Sequence, residues 1–344
     1  MPSFKKPNDI NVGVVGYGGA FNMGRNHLNE MKRAGMTPAA VADIDAARRA
    51  VAVEEFPGIR TFETLDEMLD GSDVNLITII TPHDTHAELA LKALKAGRSV
   101  VCEKPLAITT EECDRMIAAA DKSGVVLSTY HNRHWDGCIM EAVKRIRRKG
   151  EIGDVVRIEA HMGGYAQPRD WWRTSRSIAG SVLHDWGVHL LEYGLQLIDS
   201  PIREVSGFFK TGFWGPRTAW GDDAIEDEGF ATVRFASGQW MTLCITSIDS
   251  KPKAGQLEIT GTKGTYTFDH RTWEIIAPKK GKTIITRGES PRNEGWRLYQ
   301  NVADHLVKGE PLVITGEWAR RPIHILDLAC RSGQSGKAMK AKYE

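Results

Sequence analysis

Two groups of polar residues in this sequence have the types and the spacing that proton transfer requires. In the first, Glu103-Lys104-Pro105 directly follows a short apolar segment, Ser99 to Cys102. A lysine that projects from the end of a buried strand can orient a substrate hydroxyl or share its proton. In the second, Asp185 and His189 are four residues apart in a segment with helical periodicity, so they share a face. A carboxylate beside an imidazole supports the protonated ring, and we predict that His189 takes the proton of a secondary alcohol as a hydride leaves.

Each group also has a structural interpretation. Glu103 and Lys104 could form a surface ion pair ahead of a turn that Pro105 fixes. Asp185 and His189 could be a satisfied structural pair. A metal site is a further alternative, with ligands drawn from His184, Asp185, His189 and Glu192. The sequence offers these residues no obvious partner elsewhere, and we predict no metal site.

A glycine-rich segment near the N-terminus predicts a dinucleotide site. VGVVGYGGAFNMGRNH (12–27) places Gly16, Gly18 and Gly19 between a predicted strand and a predicted helix. A tight glycine turn lets the backbone and the first helix amides approach a pyrophosphate. The third glycine of the usual fingerprint would fall on Phe21, and Gly24 could replace it after a three-residue insertion. The alternative is a simple turn without a ligand.

The second predicted strand ends at Asp43, where a carboxylate can accept the ribose hydroxyls of the adenosine. Asp43 would repel a 2′-phosphate, so it favours NAD, whereas Arg48 and Arg49 leave NADP possible. The alternative is that Asp43 only caps the next helix. Strand, glycines, helix, strand and acid in this order favour dinucleotide binding.

A folded scaffold must position these residues, and the sequence predicts that it consists of two domains. Strand-like and helix-like segments alternate over the first 130 residues, which indicates a Rossmann-like, doubly wound parallel sheet of the α/β class. Thr85/Glu88 and Thr109/Glu112 both have the spacing of a capping box. After about residue 150, glycine turns join strands around one long helix, which predicts an α+β domain with a large, open, mainly antiparallel sheet. We therefore expect a cofactor domain over 1–130 and a substrate and oligomerisation domain over 131–344, with C-terminal helices able to pack back on the first.

Composition excludes several classes of function. The chain has 45 Lys plus Arg against 44 Asp plus Glu, so no strong basic field favours nucleic acid or an anionic membrane. No apolar stretch approaches the length of a membrane span or a signal peptide. The five cysteines include no CxxC pair, which favours free thiols and a cytoplasmic location.

The motifs together resemble the glucose–fructose oxidoreductase / inositol dehydrogenase (Gfo/Idh/MocA) family. The resemblance extends over most of the chain and is carried by VGVVGYGG, TPHDTHAELALKALKAGRSVVCEKPLA, HNRHWDG, KGEIGDV, GSVLHDWGVHLLEYGLQLI and SGQSGK. The insertion at Phe21–Met23, and Ser181 where a third glycine is common, depart from the family pattern.

This resemblance implies roles for named residues. Lys104, Asp185 and His189 match the family's catalytic residues. Thr81, Pro82 and His86 match the loop beside the nicotinamide, and Glu103 matches a glutamate that contacts the cofactor. Asn132 and Arg133 match positions near the substrate. The family's open sheet implies a homo-oligomer, either a dimer or a tetramer.

The segment 163–176 suggests the substrate. Tyr165, Trp172 and Arg173 precede the predicted catalytic helix, and aromatic faces with arginine donors suit sugars and polyols. The tryptophans could instead be core residues, and arginine could indicate an acidic or phosphorylated sugar. We therefore predict an NAD(H)-dependent oxidoreductase acting on a secondary hydroxyl of a sugar, sugar derivative or cyclitol. The alternatives are an NAD-dependent enzyme that cleaves glycosides through transient oxidation, a non-catalytic NAD-binding regulator, and a transferase or lyase on the same fold.

Overall fold

The computed structural model describes residues 4–19, 22–253 and 255–343. The chain divides into two compact units. The first comprises Met1–His131 and Trp296–Arg321, and the second comprises Asn132–Gly295 and Pro322–Glu344.

The first part of the chain alternates strands and helices as its sequence predicts. These elements are β1 (Asn11–Val15), α1 (Met23–Arg33), β2 (Thr37–Ala42), α2 (Ala46–Glu55), β3 (Arg60–Phe62), α3 (Leu65–Gly71), β4 (Leu76–Ile79), α4 (His86–Lys95), β5 (Ser99–Cys102), α5 (Thr110–Ser123) and β6 (Leu127–Thr129). The strands form one parallel sheet in the order β3-β2-β1-β4-β5-β6. All residues of β4 and β5 are buried, as expected for strands covered on both faces. The doubly wound α/β prediction is confirmed.

Every strand of this parallel sheet points the same way, so the strand ends meet at one edge. The order of the strands reverses between β1 and β4, which is the place where such sheets bind ligands. Gly16, Asp43, Thr81 and Glu103 follow the carboxyl ends of β1, β2, β4 and β5. The topology therefore brings these four predicted cofactor residues to the same edge of the first unit.

The second part of the chain begins with a helix and is then dominated by strands. Its elements are α6 (Gly137–Val143), β7 (Val155–Gly163), α7 (Arg176–Ala179), α8 (Val182–Leu197), β8 (Ile202–Lys210), β9 (Glu228–Phe235), β10 (Trp240–Thr246), β11 (Leu257–Gly261), β12 (Thr265–Phe268), β13 (Thr272–Lys279) and β14 (Lys282–Glu289), followed by α9 (Arg297–Lys308), α10 (Gly316–Ser335) and β15 (Met339–Lys340). The sheet order is β14-β13-β12-β11-β7-β10-β9-β8-β15. Only β7 and β10 pair in parallel among the described strands of this sheet, so the mainly antiparallel prediction is also confirmed.

One face of the nine-stranded sheet is covered. Burial alternates along β9 and β10, and α8 packs on β7, β9 and β10. On the other strands, large apolar side chains remain exposed, including Phe208 (62%) and Val156 (41%). The helix that carries Asp185 and His189 therefore packs on the covered face of this sheet.

The two predicted capping boxes have different outcomes. Thr109 accepts the backbone N–H of Glu112, and Glu112 caps in return, so this box is confirmed. The prediction at Thr85 is wrong, because its side chain makes no cap hydrogen bond. Its hydroxyl instead donates toward Thr81 Oγ1 at 2.6 Å and the Pro82 carbonyl at 2.7 Å. A short 3₁₀ turn before α4 reorients Thr85, which explains the failure of the sequence rule.

The five cysteines, Cys102, Cys113, Cys138, Cys244 and Cys330, are free thiols. Within the described ranges, no helix combines the length and apolarity needed to cross a membrane.

Candidate active site

The glycine turn at residues 16–19 has the backbone conformation that the sequence predicts. Gly16 has φ +87° and Gly18 has φ +55°, values that favour glycine. A Cβ atom at Gly16 would lie 2.5 Å from the carbonyl oxygen of Ile80, so the turn packs closely on the end of β4. At Gly18, the described residues place no atom within 4 Å of a Cβ position. The turn is therefore open to an approaching group at the strand-order reversal.

Gly24 makes the second close contact of this region. A Cβ atom there would lie 2.7 Å from the Tyr17 ring and 2.8 Å from its Cα atom. Tyr17 is held in turn by a hydrogen bond to Glu55, which also pairs with Arg25. Gly24 thus allows the close packing of helix and strand that the third fingerprint glycine normally allows. Phe21, the position of that glycine in the usual fingerprint, lies outside the described residues.

Asp43 holds the glycine turn as well as ending β2. Its Oδ2 atom accepts the backbone N–H of Tyr17 at 2.7 Å and of Gly18 at 3.1 Å. Its Oδ1 atom accepts the backbone N–H of Asp45 at 2.8 Å. A carboxylate has roughly four acceptor positions, so capacity for a ribose hydroxyl remains. Sequence reasoning missed this bond between β2 and the turn, because strand ends 26 residues apart meet only in the folded sheet.

Two arginines flank this corner of the first unit. The Arg48 guanidinium lies against the backbone of Gly19, in the space that a Cβ atom would occupy. Arg49 donates from Nη1 to the Asp43 carbonyl at 2.6 Å. Arg48 is therefore placed at the turn, whereas Arg49 supports the strand end.

The residues of this edge fit a bound dinucleotide. The N-cap residue Asn22 makes no side-chain hydrogen bond to the first turn of α1, so the helix amides keep their capacity for an anion. With the open position at Gly18 and the acid at Asp43, the turn can accept a pyrophosphate and a ribose. Gly16, Gly18 and Gly19 would hold the phosphates, and Asp43 the adenosine ribose.

The loop after β4 is built around His86. The ring is fully buried, with Nε2 2.9 Å from the Thr81 carbonyl oxygen and Nδ1 2.8 Å from the Pro105 carbonyl oxygen. Burial lowers the pKa of His86. His86 thus ties the Thr81-Pro82 loop to the loop that contains Lys104, and its ring faces the interior.

Glu103 and Lys104 follow β5 at the same edge. The Glu103 Oε2 atom accepts the Lys104 backbone N–H at 2.8 Å, and Oε1 lies 3.1 Å from His27 Nε2. Burial acts to raise the pKa of Glu103, but the hydrogen bond from His27 and the charge of Lys104 bring it below its usual value. The surface ion-pair interpretation does not describe Glu103, whose side chain is only 13% exposed.

In the second unit, the Trp186 ring contacts two of the predicted site residues. Its ring centroid lies 5.6 Å from that of His189 and 6.1 Å from that of His270. The Arg133 guanidinium lies over the same ring at 4.8 Å. Trp186 of α8 therefore contacts both His189 and Arg133. Sequence reasoning missed Trp186, although it lies three residues before His189.

Arg133 is fixed by an acid. Its Nη1 atom lies 3.0 Å from Asp136 Oδ2, and the Tyr193 hydroxyl donates to the same oxygen at 2.6 Å. Burial lowers the pKa of Arg133, but Tyr193 and Asp136 outweigh this and raise it. The charge of Arg133 is therefore compensated within the second unit.

Arg173 has a similar arrangement. Its Nε atom lies 3.9 Å from Asp185 Oδ1, and its guanidinium lies 4.9 Å from the ring centroids of both Trp171 and Trp172. Arg173 thus connects the aromatic segment to the predicted catalytic helix.

Tyr165 and Asn132, the remaining predicted substrate residues, have other neighbours in the structure. Tyr165 is 56% exposed and packs on Phe213 and Trp214, at centroid distances of 6.1 and 5.5 Å. Asn132 begins a short 3₁₀ segment beside Gly295. Tyr165 therefore belongs to a second aromatic cluster of the unit.

The four candidate metal ligands of α8 have different surroundings. His184 Nδ1 lies 2.8 Å from Ser181 Oγ, and Glu192 Oε1 lies 2.5 Å from His134 Nδ1. Within the described ranges, ligand-type atoms converge at Asp136, Cys138 and His270 instead, within 4.8 Å of one another. Arg133 already occupies the Asp136 carboxylate there, which does not favour a cation. His270 lies in the turn between β12 and β13 and carried no sequence signal.

The first unit has an open glycine turn on a doubly wound sheet, and the second unit has a helix that carries Asp185 and His189. These features together define a dinucleotide-dependent oxidoreductase with two domains. Family models match both parts. Residues 10–131 match the oxidoreductase family model with an NAD-binding Rossmann fold, and residues 140–267 match the GFO/IDH/MocA C-terminal domain. The chain therefore belongs to the Gfo/Idh/MocA family of oxidoreductases, and its N-terminal domain is an NAD-binding domain.

Two relatives of known activity are similar to this chain over most of their length. The chain is 28% identical to the scyllo-inositol 2-dehydrogenase (NADP(+)) IolW of Bacillus subtilis, over 98% of each chain. It is 27% identical to the levoglucosan dehydrogenase of Pseudarthrobacter phenanthrenivorans, over 83% of each. Among solved structures, an NAD-binding protein from Listeria innocua has 25% identity and a TM-score of 0.80, with 96% and 97% of the two chains covered. A levoglucosan dehydrogenase in complex with NADH and levoglucosan has 20% identity and a TM-score of 0.82, with 97% and 99% covered, and shares the fold.

Proposed function

We propose that this protein is an NAD(H)-dependent dehydrogenase that removes a hydride from a secondary hydroxyl of a sugar, sugar derivative or cyclitol. The observation that carries this proposal is the common edge of the parallel sheet, where the glycine turn, Asp43, the Thr81 loop and Glu103-Lys104 all follow strand ends. A cofactor site and a lysine suited to proton transfer at one edge are what such a reaction needs.

Three side chains would handle the substrate proton. His189 takes the proton of the substrate hydroxyl on its imidazole. Asp185, four residues earlier on the same helix face, orients the ring and supports its protonated form. Lys104 positions the hydroxyl with its ammonium group and shares its proton. The nicotinamide supplies the hydride acceptor when bound.

The arginines favour an uncharged substrate. Arg133 is paired with Asp136 at 3.0 Å, and Arg173 lies 3.9 Å from Asp185. An anionic sugar would have to displace these carboxylates to gain a bidentate contact. A guanidinium carries five N–H groups, so Arg133 and Arg173 can donate to hydroxyl groups, and aromatic rings such as Trp172 and Tyr165 suit sugar C–H groups. The names of the relatives, for scyllo-inositol and levoglucosan, agree with a neutral polyol.

The first test is an absorbance assay of nicotinamide reduction. Purified protein is mixed with NAD or NADP and a panel of inositols, aldoses, anhydrosugars, sugar acids and sugar phosphates. A substrate-dependent rise with a neutral compound supports the proposal. If no member of the panel reacts while NADH still binds in a fluorescence titration, aryl glycosides are tested next, and their cleavage would favour the glycoside-cleaving alternative.

The two domains, the oligomer and the location are also proposals. We assign cofactor binding to residues 1–130 with the segment Trp296–Arg321, and substrate binding and oligomer contacts to the second unit.

The exposed face of the nine-stranded sheet, with Phe208 62% exposed, would be covered by a second copy in a dimer or tetramer. Light scattering measures this state, and Phe208→Lys should shift it toward monomer. The free cysteines favour the cytoplasm.

A further inference from the structure

A chain of hydrogen bonds runs through the interior of the first unit and ends on Glu103. Thr78 Oγ1 lies 3.0 Å from the Tyr299 hydroxyl, which lies 2.7 Å from His27 Nδ1. His27 Nε2 lies 3.1 Å from Glu103 Oε1. The side chains of Thr78, His27 and Tyr299 are fully buried, so water does not compete for these bonds. Tyr130 closes one side, with its ring centroid 4.1 Å from that of His27.

The Glu103 carboxylate determines which groups donate and which accept along this chain of hydrogen bonds. An ionised Glu103 can only accept, so His27 Nε2 carries the hydrogen and donates it. When the imidazole is neutral, Nδ1 accepts from the Tyr299 hydroxyl, and the Tyr299 oxygen then accepts from Thr78. Every donor in the chain therefore points toward Glu103, and aligned hydrogen bonds polarise one another in a medium of low dielectric.

Glu103 connects this chain of hydrogen bonds to Lys104. Its second oxygen, Oε2, accepts the Lys104 backbone N–H at 2.8 Å, so both carboxylate oxygens have fixed donors. His27 lies on α1, the helix that begins beyond the glycine turn, and Tyr299 lies on α9. One buried imidazole thus links the cofactor helix to the loop of the proposed catalytic lysine.

We infer that His27 is a positioning residue: it holds Glu103 as an ordered carboxylate and, through Glu103, sets the position of Lys104. The effect on Lys104 rests on the proposed function, whereas the link from His27 to Glu103 does not. His27 is the last residue of the glycine-rich segment, but its residue type and spacing predict no role for it. Tyr299 follows Glu103 by almost two hundred residues along the chain and lies outside the predicted motifs.

Several groups face Glu103 from the surrounding elements. They are His27 of α1, His86 of α4, Cys102 of β5, Lys104, Tyr130 and Tyr299 of α9. Burial already acts to raise the pKa of Glu103, and the His27 hydrogen bond is the largest influence that lowers it. Loss of this donor should therefore raise the pKa.

Stability against pH tests the link without any need for activity. His27→Leu removes the donor at similar size, and His27→Gln keeps a side-chain N–H. A carboxyl with a depressed pKa stabilises the fold above its unfolded pKa, and this stabilisation is lost as the pH falls through the folded pKa. The ratio of the unfolding constants of His27→Leu and His27→Gln, both of which lack the imidazole, should be about tenfold larger at pH 8 than at pH 4.5 in urea titrations. A ratio equal at both pH values would show packing loss only and overturn the inference.

Kinetics test the effect on Lys104. In His27→Leu, kcat should fall about tenfold or more with a smaller change in KM, since hydrogen bonds to charged groups contribute about 1.5–3 kcal/mol, a factor of roughly 10 to 150. The acidic limb of the kcat profile should move up by about one pH unit. His27→Gln should recover most of the rate. Equal losses in both variants with an unmoved pH profile would refute the positioning role.

A second variant covers the case in which His27→Leu does not fold. Tyr299→Phe removes only the hydroxyl that donates to Nδ1, so the same shifts should appear with smaller size. An unshifted pH dependence in Tyr299→Phe would count against the chain. If the wild type reduces no nicotinamide with any substrate, the proposed function fails, and the stability measurement still decides whether His27 holds Glu103.

Discussion

The carboxylate of Asp43 accepts the backbone N–H of Tyr17 at 2.7 Å, so the end of β2 holds the turn that follows β1. This carboxylate also accepts the Gly18 N–H, in the part of the turn where the backbone is open. Asp43 therefore shapes the proposed phosphate site as well as offering an acceptor to a ribose.

Asp43→Ala should lower the affinity for NAD by tenfold or more, because about 2 kcal/mol of hydrogen bonding to a charged group is lost from the turn. NADH fluorescence titration measures the effect. Asp45→Ala is the matched control, since Asp45 caps α2 through the Ala47 N–H at 2.8 Å. It should cost about 1 kcal/mol of unfolding free energy and leave NADH binding unchanged. Unchanged NADH binding in Asp43→Ala would contradict the assigned role.

Arg48 should decide how well NADP is accepted. Its guanidinium lies against Gly19, where it can reach a 2′-phosphate on the adenosine ribose. Arg48→Gln should weaken NADP binding about tenfold and leave NAD binding within twofold, as charge-assisted bonds contribute about 1.5–3 kcal/mol. Arg49→Gln is the control, because Arg49 bonds the Asp43 carbonyl. Equal effects of Arg48→Gln on both cofactors would exclude a role in selectivity.

His189→Ala should lower kcat about 10²–10⁴-fold, the range expected when a general base is lost. Lys104→Ala should also lower kcat strongly, and NADH binding should survive in both variants. Steady-state rates and NADH titration measure the two effects. The control is His184→Gln on the same helix, whose ring bonds Ser181 at 2.8 Å and which should alter stability more than kcat. An unchanged kcat in His189→Ala would contradict the catalytic role of His189, and an unchanged kcat in Lys104→Ala would contradict that of Lys104.

Asp136→Asn should change substrate charge preference. The substitution keeps a polar group of the same shape but leaves the Arg133 charge without its acid at 3.0 Å. The KM for a neutral polyol should rise several-fold, and sugar acids or phosphates should begin to inhibit. Tyr193→Phe keeps the ion pair and removes only the hydroxyl donor, so it should not attract anions. Inhibition constants for a neutral and an acidic form of the same sugar decide the outcome.

The two threonines of the predicted capping boxes should behave differently. Thr109→Ala removes a real cap and should cost about 1 kcal/mol of unfolding free energy. Thr85→Ala removes bonds to Thr81 and Pro82, so it should loosen the loop beside β4 and weaken NADH binding without loss of a helix cap. Urea titration and NADH fluorescence separate the two effects. Equal stability losses with unchanged NADH binding would contradict this distinction.

Short-range patterns explain what could be predicted about the fold. The alternation of strands and helices up to β6 predicts the parallel sheet, because each helix returns the chain to the next parallel strand. The spacing of apolar residues likewise predicts β9, β10 and α8, and the structure confirms these elements. The pattern missed β8, where a bulge between Ile202 and Glu204 breaks the alternation. It also missed β14, an almost fully exposed edge strand with no buried side for hydrophobicity to mark.

The sequence by itself determined the class of protein, because the glycines, Asp43, Lys104, Asp185 and His189 are recognisable from type and local spacing. Only the tertiary structure decided how these residues are held. His27 meets Glu103 across 76 residues and Tyr299 across 272, and His270 reaches Trp186 from a turn between two strands. Such contacts depend on which strand ends and helices pack together. A local pattern records helix or strand periodicity, but it carries no information about partners that only the folded sheet brings together.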